Sequence, residues 1–344
     1  MSICAQRIVL LNRPNGAPGE QNFKLEEFLV PIPNKGEVLV ETHFLSLDPY
    51  MRGRMDDATS YAAPVPIGKT MEGGIVGQVL ESRSSKFQVG DFVFGQLGWL
   101  SHSCTSAKNL RKIDPSKTPI TTALGVLGMP GFTGWYGLTK IARPKKGETL
   151  VVAAATGPVG SIVGQIAKSL GLRTIGIAGS PKKCQIAKDT FGFDHCINHN
   201  SFLDGKEIHK KLVELCPNGI DIYFENVAGK ILDGILPLMN VGGRITICGM
   251  VSWYNSGALG ANAQGVKDRL PKIWRSILVK RISVQGFIIS DHWDSFREFI
   301  QDVQPLVIGK KLNYIENVVE GLENAPLELK GLLEGKNLGK MIIK

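Results

Sequence analysis

The chain has 344 residues, 43% of them hydrophobic, and 40 Lys and Arg against 31 Asp and Glu for a formal charge of +9. That length supports two domains with a sizeable core, and the ordinary apolar fraction argues against disorder. No run of about 18 apolar residues occurs and the apolar patch Ile8 to Leu11 is too short for a signal-peptide core, so a soluble, cytoplasmic protein is expected.

The basic residues are scattered and form no block of the kind that binds nucleic acid; phosphorylated cofactors or anionic substrates suffice as partners. Six cysteines, Cys4, Cys104, Cys184, Cys196, Cys216 and Cys248, show no C-x-x-C and no close pairing. That pattern predicts reduced, mostly buried thiols and neither a disulfide framework nor a structural zinc.

From Gln6 to about Ser106 the sequence favours strands. Phe23 to Val30, Glu37 to Leu47, Gly74 to Leu80 and Asp91 to Phe94 are short, rich in Val, Leu and Phe, and divided by Pro and Gly turns, which predicts an irregular β domain. Within it, Leu45 to Arg52 runs an apolar strand into a Pro-marked loop with Tyr50. Tyr50 either lines a pocket or packs at the domain surface, and its position alone favours packing. Met129-Pro130-Gly131-Phe132-Thr133-Gly134 opens the approach to the second half, and Ala123 to Thr139 is expected to hold a helix crossing between domains.

Thr149 to Ala155 is a short apolar run ending in a Gly-containing loop, the pattern of a buried strand. Val159, Ile162, Val163, Ile166, Ala167 and Leu170 then recur at the spacing of one helical face. Between them, Ala155, Gly157 and Gly160 occupy the three small positions of a G-x-G-x-x-G fingerprint, with Ala in place of the first Gly. Such a loop presents free N–H groups and the positive end of a helix dipole to a phosphate. An ordinary tight turn, in which the glycines only permit close packing, is the competing reading.

The next strand, Arg173 to Ala178, is followed by Gly179-Ser180-Pro181-Lys182-Lys183, where a carboxylate would read a ribose hydroxyl. Ser180 suits an N-cap and Pro181 the first helical position. Two lysines in the first turn oppose the helix dipole, a cost that a bound anion reverses. This predicts a site for the 2′-phosphate of NADP at Ser180 and Lys183, against the alternative of two solvated lysines.

Phe193 to Asn198, Gly219 to Glu225, Gly243 to Cys248 and Ile282 to Ile289 supply further strands, separated by helical segments, and Trp293 to Val307 a helix. Strands alternating with helices predict a doubly wound parallel sheet. His199 with Asn200, Asn226 with Val227, and Cys248 to Ser252 follow strand ends, where such sheets bind ligands. Tyr314 to Lys344 reads as strand-helix-strand and is expected to rejoin the first domain.

A catalytic zinc needs about three protein ligands in a cluster. Met71, in Gly68 to Gly73, stands where a zinc dehydrogenase of this layout has His, and no cysteine lies between Cys4 and Cys104, so zinc chemistry is not expected. No G-x-S-x-G elbow is present either. Without a metal, a polarised carbonyl needs hydrogen-bond donors. Tyr254, in the loop after the fifth strand, is a candidate donor, with a dimer or core contact weighing equally.

Seven blocks in order, LSLDPYMR at 45–52, GMPGFTGWYG at 128–137, AAATGPVGSIVGQIAK at 153–168, YFENVAG at 223–229, ICGMVSWYN at 247–255, QGFII at 285–289 and NLGKMIIK at 337–344, resemble the zinc-independent medium-chain reductases. These include prostaglandin reductases, leukotriene dehydrogenases, alkenal double-bond reductases and curcumin reductase. The resemblance covers essentially the whole chain. It implies an α/β fold, a Rossmann-type doubly wound sheet (residues 126–307) plus a GroES-like irregular β-barrel domain (1–125 and 308–344), and homodimers.

It also implies NADPH-dependent reduction of the carbon-carbon double bond of α,β-unsaturated ketones and aldehydes. Ala155, Thr156, Gly157, Val159, Gly160 and Gly179 would meet the cofactor, Ser180 and Lys183 its 2′-phosphate. Asn226 and Asn337 would contact it, while Cys248, Gly249, Met250, Ser252, Phe287, Ile288 and Ile289 border the nicotinamide. Tyr254 matches the tyrosine proposed to bind the carbonyl or supply the proton, and Tyr50 and Met129 match pocket positions. His199 stands where some relatives have a cofactor-binding tyrosine. A quinone reductase, or a non-catalytic NADPH- or RNA-binding protein on the same fold, are the alternatives.

Overall fold

The computed structural model describes residues 3–261 and 270–344. In chain order the elements are β1 (Ile3–Leu10), β2 (Phe23–Val30), β3 (Glu37–Ser46), the short α1 (Tyr50–Gly53), β4 (Gly74–Ser82), β5 (Phe92–Gln96), β6 (His102–Ser106) and β7 (Leu110–Ile113). Then come α2 (Met129–Tyr136), β8 (Thr149–Ala153), α3 (Pro158–Ser169), β9 (Arg173–Ala178), α4 (Pro181–Asp189), β10 (His195–Asn198), α5 (Gly205–Leu215), β11 (Ile220–Glu225), α6 (Lys230–Ile235) and β12 (Met239–Ile247). The chain ends with α7 (Leu270–Lys280), β13 (Ser283–Gly286), α8 (Phe296–Ile308), β14 (Glu316–Val319), α9 (Ala325–Leu333) and β15 (Lys340–Ile343).

Two compact units result. The first comprises Met1–Gly128, Tyr254–Asn262 and Glu316–Lys344; the second Met129–Trp253 and Ala263–Ile315. These breaks, at 128/129 and 315/316, fall three and eight residues beyond the expected 125/126 and 307/308. A larger difference is that the segment carrying Tyr254 belongs with the first unit.

The first unit is built on a seven-stranded sheet, β14-β15-β3-β4-β5-β7 with β6 also on β3, beside a β1-β2 hairpin. Its pairings are antiparallel except β14 with β15. Alternation in β3 and β4 sends Val38, Val40, Leu45, Ile75 and Val79 into one core with Trp99, Met51 and Met55, which Ala325 and Leu329 of α9 close. The sequence reading passed over β6 and β7, and took only a short apolar patch from β1. β6, with the sequence HSCTS and no apolar alternation, carries no period to read.

In the second unit all six strands run parallel in the order β10-β9-β8-β11-β12-β13. The order reverses between β8 and β11, the topological switch point at which doubly wound sheets bind dinucleotides. Val151, Ala153, Ile175 and Ile177 share a core with Ile208 and Leu212 of α5 and with Ile231 and Ile235 of α6.

Several boundaries move from their expected places. β8 stops at Ala153 and not Ala155, because Ala154 takes φ +53° and cannot continue a strand. The sixth strand ends at Gly286, so Phe287 to Ile289 lie beyond it, and a 3-10 turn over Ile289–Ser295 precedes α8, which starts at Phe296 and not Trp293. The helix expected within Ala123 to Thr139 is α2, flanked by a 3-10 turn (Ile120–Leu124) and a wider π turn (Gly137–Ala142). Among the described residues no helix is long and apolar enough to cross a membrane.

Candidate functional site

The turn from β8 into α3 is made by small residues because nothing larger fits. Gly157 is the N-cap of α3 with Pro158 in its first turn, and no side chain caps the helix, so its first N–H groups remain available to a ligand. A Cβ at Gly160 would stand 2.3 Å from the Ala154 carbonyl oxygen. Ala155 in place of the usual glycine is accommodated from the neighbouring strand: a Cβ on Gly176 would lie 2.8 Å from the Ala155 methyl. Thr156 is buried and Val159 half-buried on this turn.

At the end of β9, Gly179 leads into Ser180, whose hydroxyl accepts the Lys183 N–H at 3.3 Å and caps α4. Lys183 is half-buried, and that burial pushes its ammonium below the usual lysine range. After β10 comes His199. Its ring is held below the ordinary histidine value first by burial and then by the charges of Lys230 and Lys183. Its buried Nδ1 has no hydrogen-bond partner. Partly desolvated positive charge beside an unsatisfied buried ring nitrogen is the chemistry that a phosphate dianion completes.

Across the switch point, Asn226 Nδ2 donates to the Ala153 carbonyl at 2.7 Å, tying the end of β11 to the end of β8. Glu225 is buried there; its Oε1 accepts the N–H groups of Val227 and Ala228, both at 2.7 Å, and burial raises its carboxyl above the ordinary value. The loop after β12 lies on this one. Cys248 and Gly249 N–H groups donate to the Glu225 carbonyl, Val251 N–H to Asn226, and the Ser252 N–H and Oγ to Val227. Met250 lies between them, half-buried. Phe287 stacks obliquely 6.0 Å from Tyr136, and Tyr136 in turn bonds His292 Nδ1 at 3.0 Å. Ile288 follows half-buried and Ile289 buried. Met129 opens α2, half-buried.

The other expected residues belong to the first unit. Tyr50 is half-buried against its core, and the Arg54 guanidinium lies over both the Tyr50 and Tyr61 rings, at 5.5 and 4.5 Å, while bonding Glu72 at 3.1 Å. Burial, and then Asp48 and Glu72, push the Tyr50 hydroxyl well above the usual phenol range. Asn337 donates to the Gly339 carbonyl at 2.7 Å. Tyr254 sits, half-buried, in a 3-10 turn over Val251–Ser256.

Residues 6–113 match a family described as the N-terminal domain of oxidoreductase, and residues 158–304 one described as zinc-binding dehydrogenase. The chain is 48% identical to NADPH-dependent curcumin reductase of Escherichia coli over 98% of this chain and 96% of that one. It is 38% identical to the NADP(+)-dependent 2-alkenal reductase of Nicotiana tabacum, over 98% and 96%. The crystal structure of Vibrio vulnificus CurA in complex with NADPH superposes with a TM-score of 0.92 at 47% identity, covering 98% of each chain. The chain belongs to the medium-chain reductase family of curcumin and alkenal reductases.

The two units of this medium-chain reductase are accordingly the GroES-like and Rossmann-type domains of that fold. Despite the name of the second family, no group of three or more His, Cys, Asp and Glu side chains able to hold a metal is found among the described residues. The cysteines depart from the sequence reading: only Cys184 and Cys216 are buried, Cys4 is exposed. Cys184 and Cys196 are brought close enough to hydrogen-bond, which holds the Cys184 thiol below its usual range.

Sequence reading missed Glu225, Lys230, Tyr136, Arg54 and Tyr61. Glu225 and Tyr136 lie inside quoted blocks of the medium-chain reductase pattern, a signal that could have raised them; the other three owe their places to folding alone.

Proposed function

We propose that the chain uses NADPH to reduce the carbon-carbon double bond of α,β-unsaturated ketones and aldehydes. The observation that carries this reading is half-buried Lys183 in the first turn of α4, after the Ser180 cap at the end of β9, which suits a 2′-phosphate and so NADPH over NADH; a Cβ on the neighbouring Gly179 would lie 3.6 Å from His199 Nε2. Its kinship with reductases named for curcumin and alkenals supplies the substrate class.

Ser180 and Lys183 hold the 2′-phosphate beside Gly179 and His199, and Ala155, Thr156, Gly157, Val159 and Gly160 receive the pyrophosphate at the start of α3. Asn226, Asn337, Cys248 to Ser252 and Phe287 to Ile289 orient the cofactor, which supplies a hydride when bound. Tyr254 donates a hydrogen bond to the substrate carbonyl oxygen, where negative charge accumulates as the β-carbon is reduced. Tyr50 and Met129 shape the substrate pocket.

The protein works in the cytoplasm as a homodimer. β13 is an edge strand exposed along its length, and Trp274, Leu278 and Val279 of α7 and Val284 of β13 expose apolar surface. Such an edge is normally covered, and a second copy covers it symmetrically. Val284→Arg is expected to shift light-scattering mass from dimer to monomer; a monomeric wild type overturns the assignment.

The reading is tested by following NADPH consumption with a panel of enones, one quinone and NADH as control. Enone turnover that prefers NADPH and yields a saturated ketone supports it. Turnover of the quinone alone transfers the protein to quinone reduction, and tight NADPH binding with no turnover, alongside salt-dependent RNA affinity, points to a binding role.

A further inference from the structure

Arg52, in the turn that follows β3, is 1% exposed at its side chain. Its Nε and Nη2 donate to the Gly16 carbonyl at 3.2 and 3.0 Å, and its Nη1 to Asp56 Oδ1 at 2.5 Å. Arg13 holds the chain next to Asp56 by donating to the carbonyls of Met55 and Val65, at 3.1 and 2.8 Å. The Asp56 carboxylate is therefore held rigidly, and one oxygen is left over. That oxygen, Oδ2, accepts the backbone N–H of Ala258 at 2.9 Å, across 202 residues of sequence.

Ala258 lies just past the turn that carries Tyr254; the Gly257 N–H donates to the Tyr254 carbonyl at 3.3 Å and Ala258 follows directly. Its φ is +45°, left-handed for a residue with a side chain, between Gly257 at +81° and Gly260 at +98°. A non-glycine residue keeps such a conformation only where its surroundings impose it. A charge-assisted bond from a fixed carboxylate to that residue's N–H is such an imposition.

We propose that Asp56, braced by Arg52, is a positioning residue for the reaction: it clasps the chain at Ala258 and so fixes where the Tyr254 hydroxyl stands. The inference rests on the reading of Tyr254 as the carbonyl donor. Donors that stabilise developing charge act only when set in advance, and a misplacement of about 1 Å costs on the order of a hundredfold in rate.

The test compares Asp56→Ala, Asp56→Asn and Tyr254→Phe in the full chain, with benzylideneacetone as the enone. Three quantities are read: kcat, the NADPH dissociation constant, and amide hydrogen exchange of the peptide spanning 254–261. Asp56→Ala is expected to speed exchange in that peptide and to lower kcat by about tenfold to a hundredfold with NADPH affinity unchanged. Asp56→Asn keeps one carbonyl oxygen and falls between, and it remains the informative variant should the unpaired Arg52 of Asp56→Ala prevent folding. Unaltered exchange in both variants overturns the clasp. Faster exchange with kcat unchanged, while Tyr254→Phe lowers kcat, overturns the positioning role and leaves Tyr254 in place. Unchanged kcat in Tyr254→Phe overturns the reading of Tyr254 and the proposal with it.

Discussion

The ammonium of Lys340 meets the carboxylate of Asp48 at 2.7 Å in the interior of the first unit, with side chains 3% and 7% exposed. The same ammonium donates to the Leu47 carbonyl at 2.6 Å, and Ser46 donates its hydroxyl to the second oxygen of Asp48. One buried ion pair thus joins the last strand, β15, to the loop that bears Tyr50. Removing one partner leaves the other charged and dry, so Lys340→Met should cost about 3–5 kcal/mol of folding stability. Adding Asp48→Asn should restore part of it. Denaturant unfolding measures both, and an unchanged midpoint in the single variant would refute the account.

Lys183→Ala should raise the Michaelis constant for NADPH by roughly tenfold or more, the worth of one hydrogen bond to a charged group, and leave that for NADH nearly unchanged. Equal effects on the two cofactors would remove Lys183 from the 2′-phosphate.

Tyr254→Phe should lower kcat on enones by on the order of a hundredfold, the range of a lost donor at a developing oxyanion, with NADPH affinity retained. Isothermal titration separates binding from turnover; weaker NADPH binding with normal kcat would place Tyr254 on the cofactor.

Glu225 makes stability depend on pH in a definite direction. Burial raises its carboxyl above the ordinary 4.5, against the opposing pull of the Ala228 N–H. The folded state therefore holds the proton more tightly than the unfolded chain. Its contribution is full below the unfolded value and is lost as pH rises through the higher native one. Glu225→Gln keeps an oxygen for the Val227 and Ala228 N–H groups and removes the titration. The variant should show a flatter stability profile than the wild type as pH rises from the ordinary carboxylate range, and be no less stable at the upper end. Urea midpoints across that rise decide it, and parallel profiles would show that Glu225 does not titrate there.

The parallel sheet was legible in the sequence because each strand is a buried apolar run followed by a helix with its own period, a signal confined to a short window. The turn at Gly157 and Gly160 was legible for a related reason: close backbone approach tolerates only small side chains. Ser180 announces its cap by residue type alone. The first unit was less legible. Its strand β6 is half-exposed and polar and pairs with β3, far back in the sequence, and β7 is only four residues long, so no local pattern marks them.

What the sequence determined by itself was the parallel sheet with its helices, the tight turn at Gly157 and Gly160 and the family, since each depends on neighbours along the chain or on blocks kept in order. Only the tertiary structure decided that His199 comes beside Gly179, that Lys340 finds Asp48, and that Asp56 reaches Ala258. Charge pairing and desolvation depend on distance in space, and residues so far apart in the chain become neighbours only once the cores on either side of them have packed.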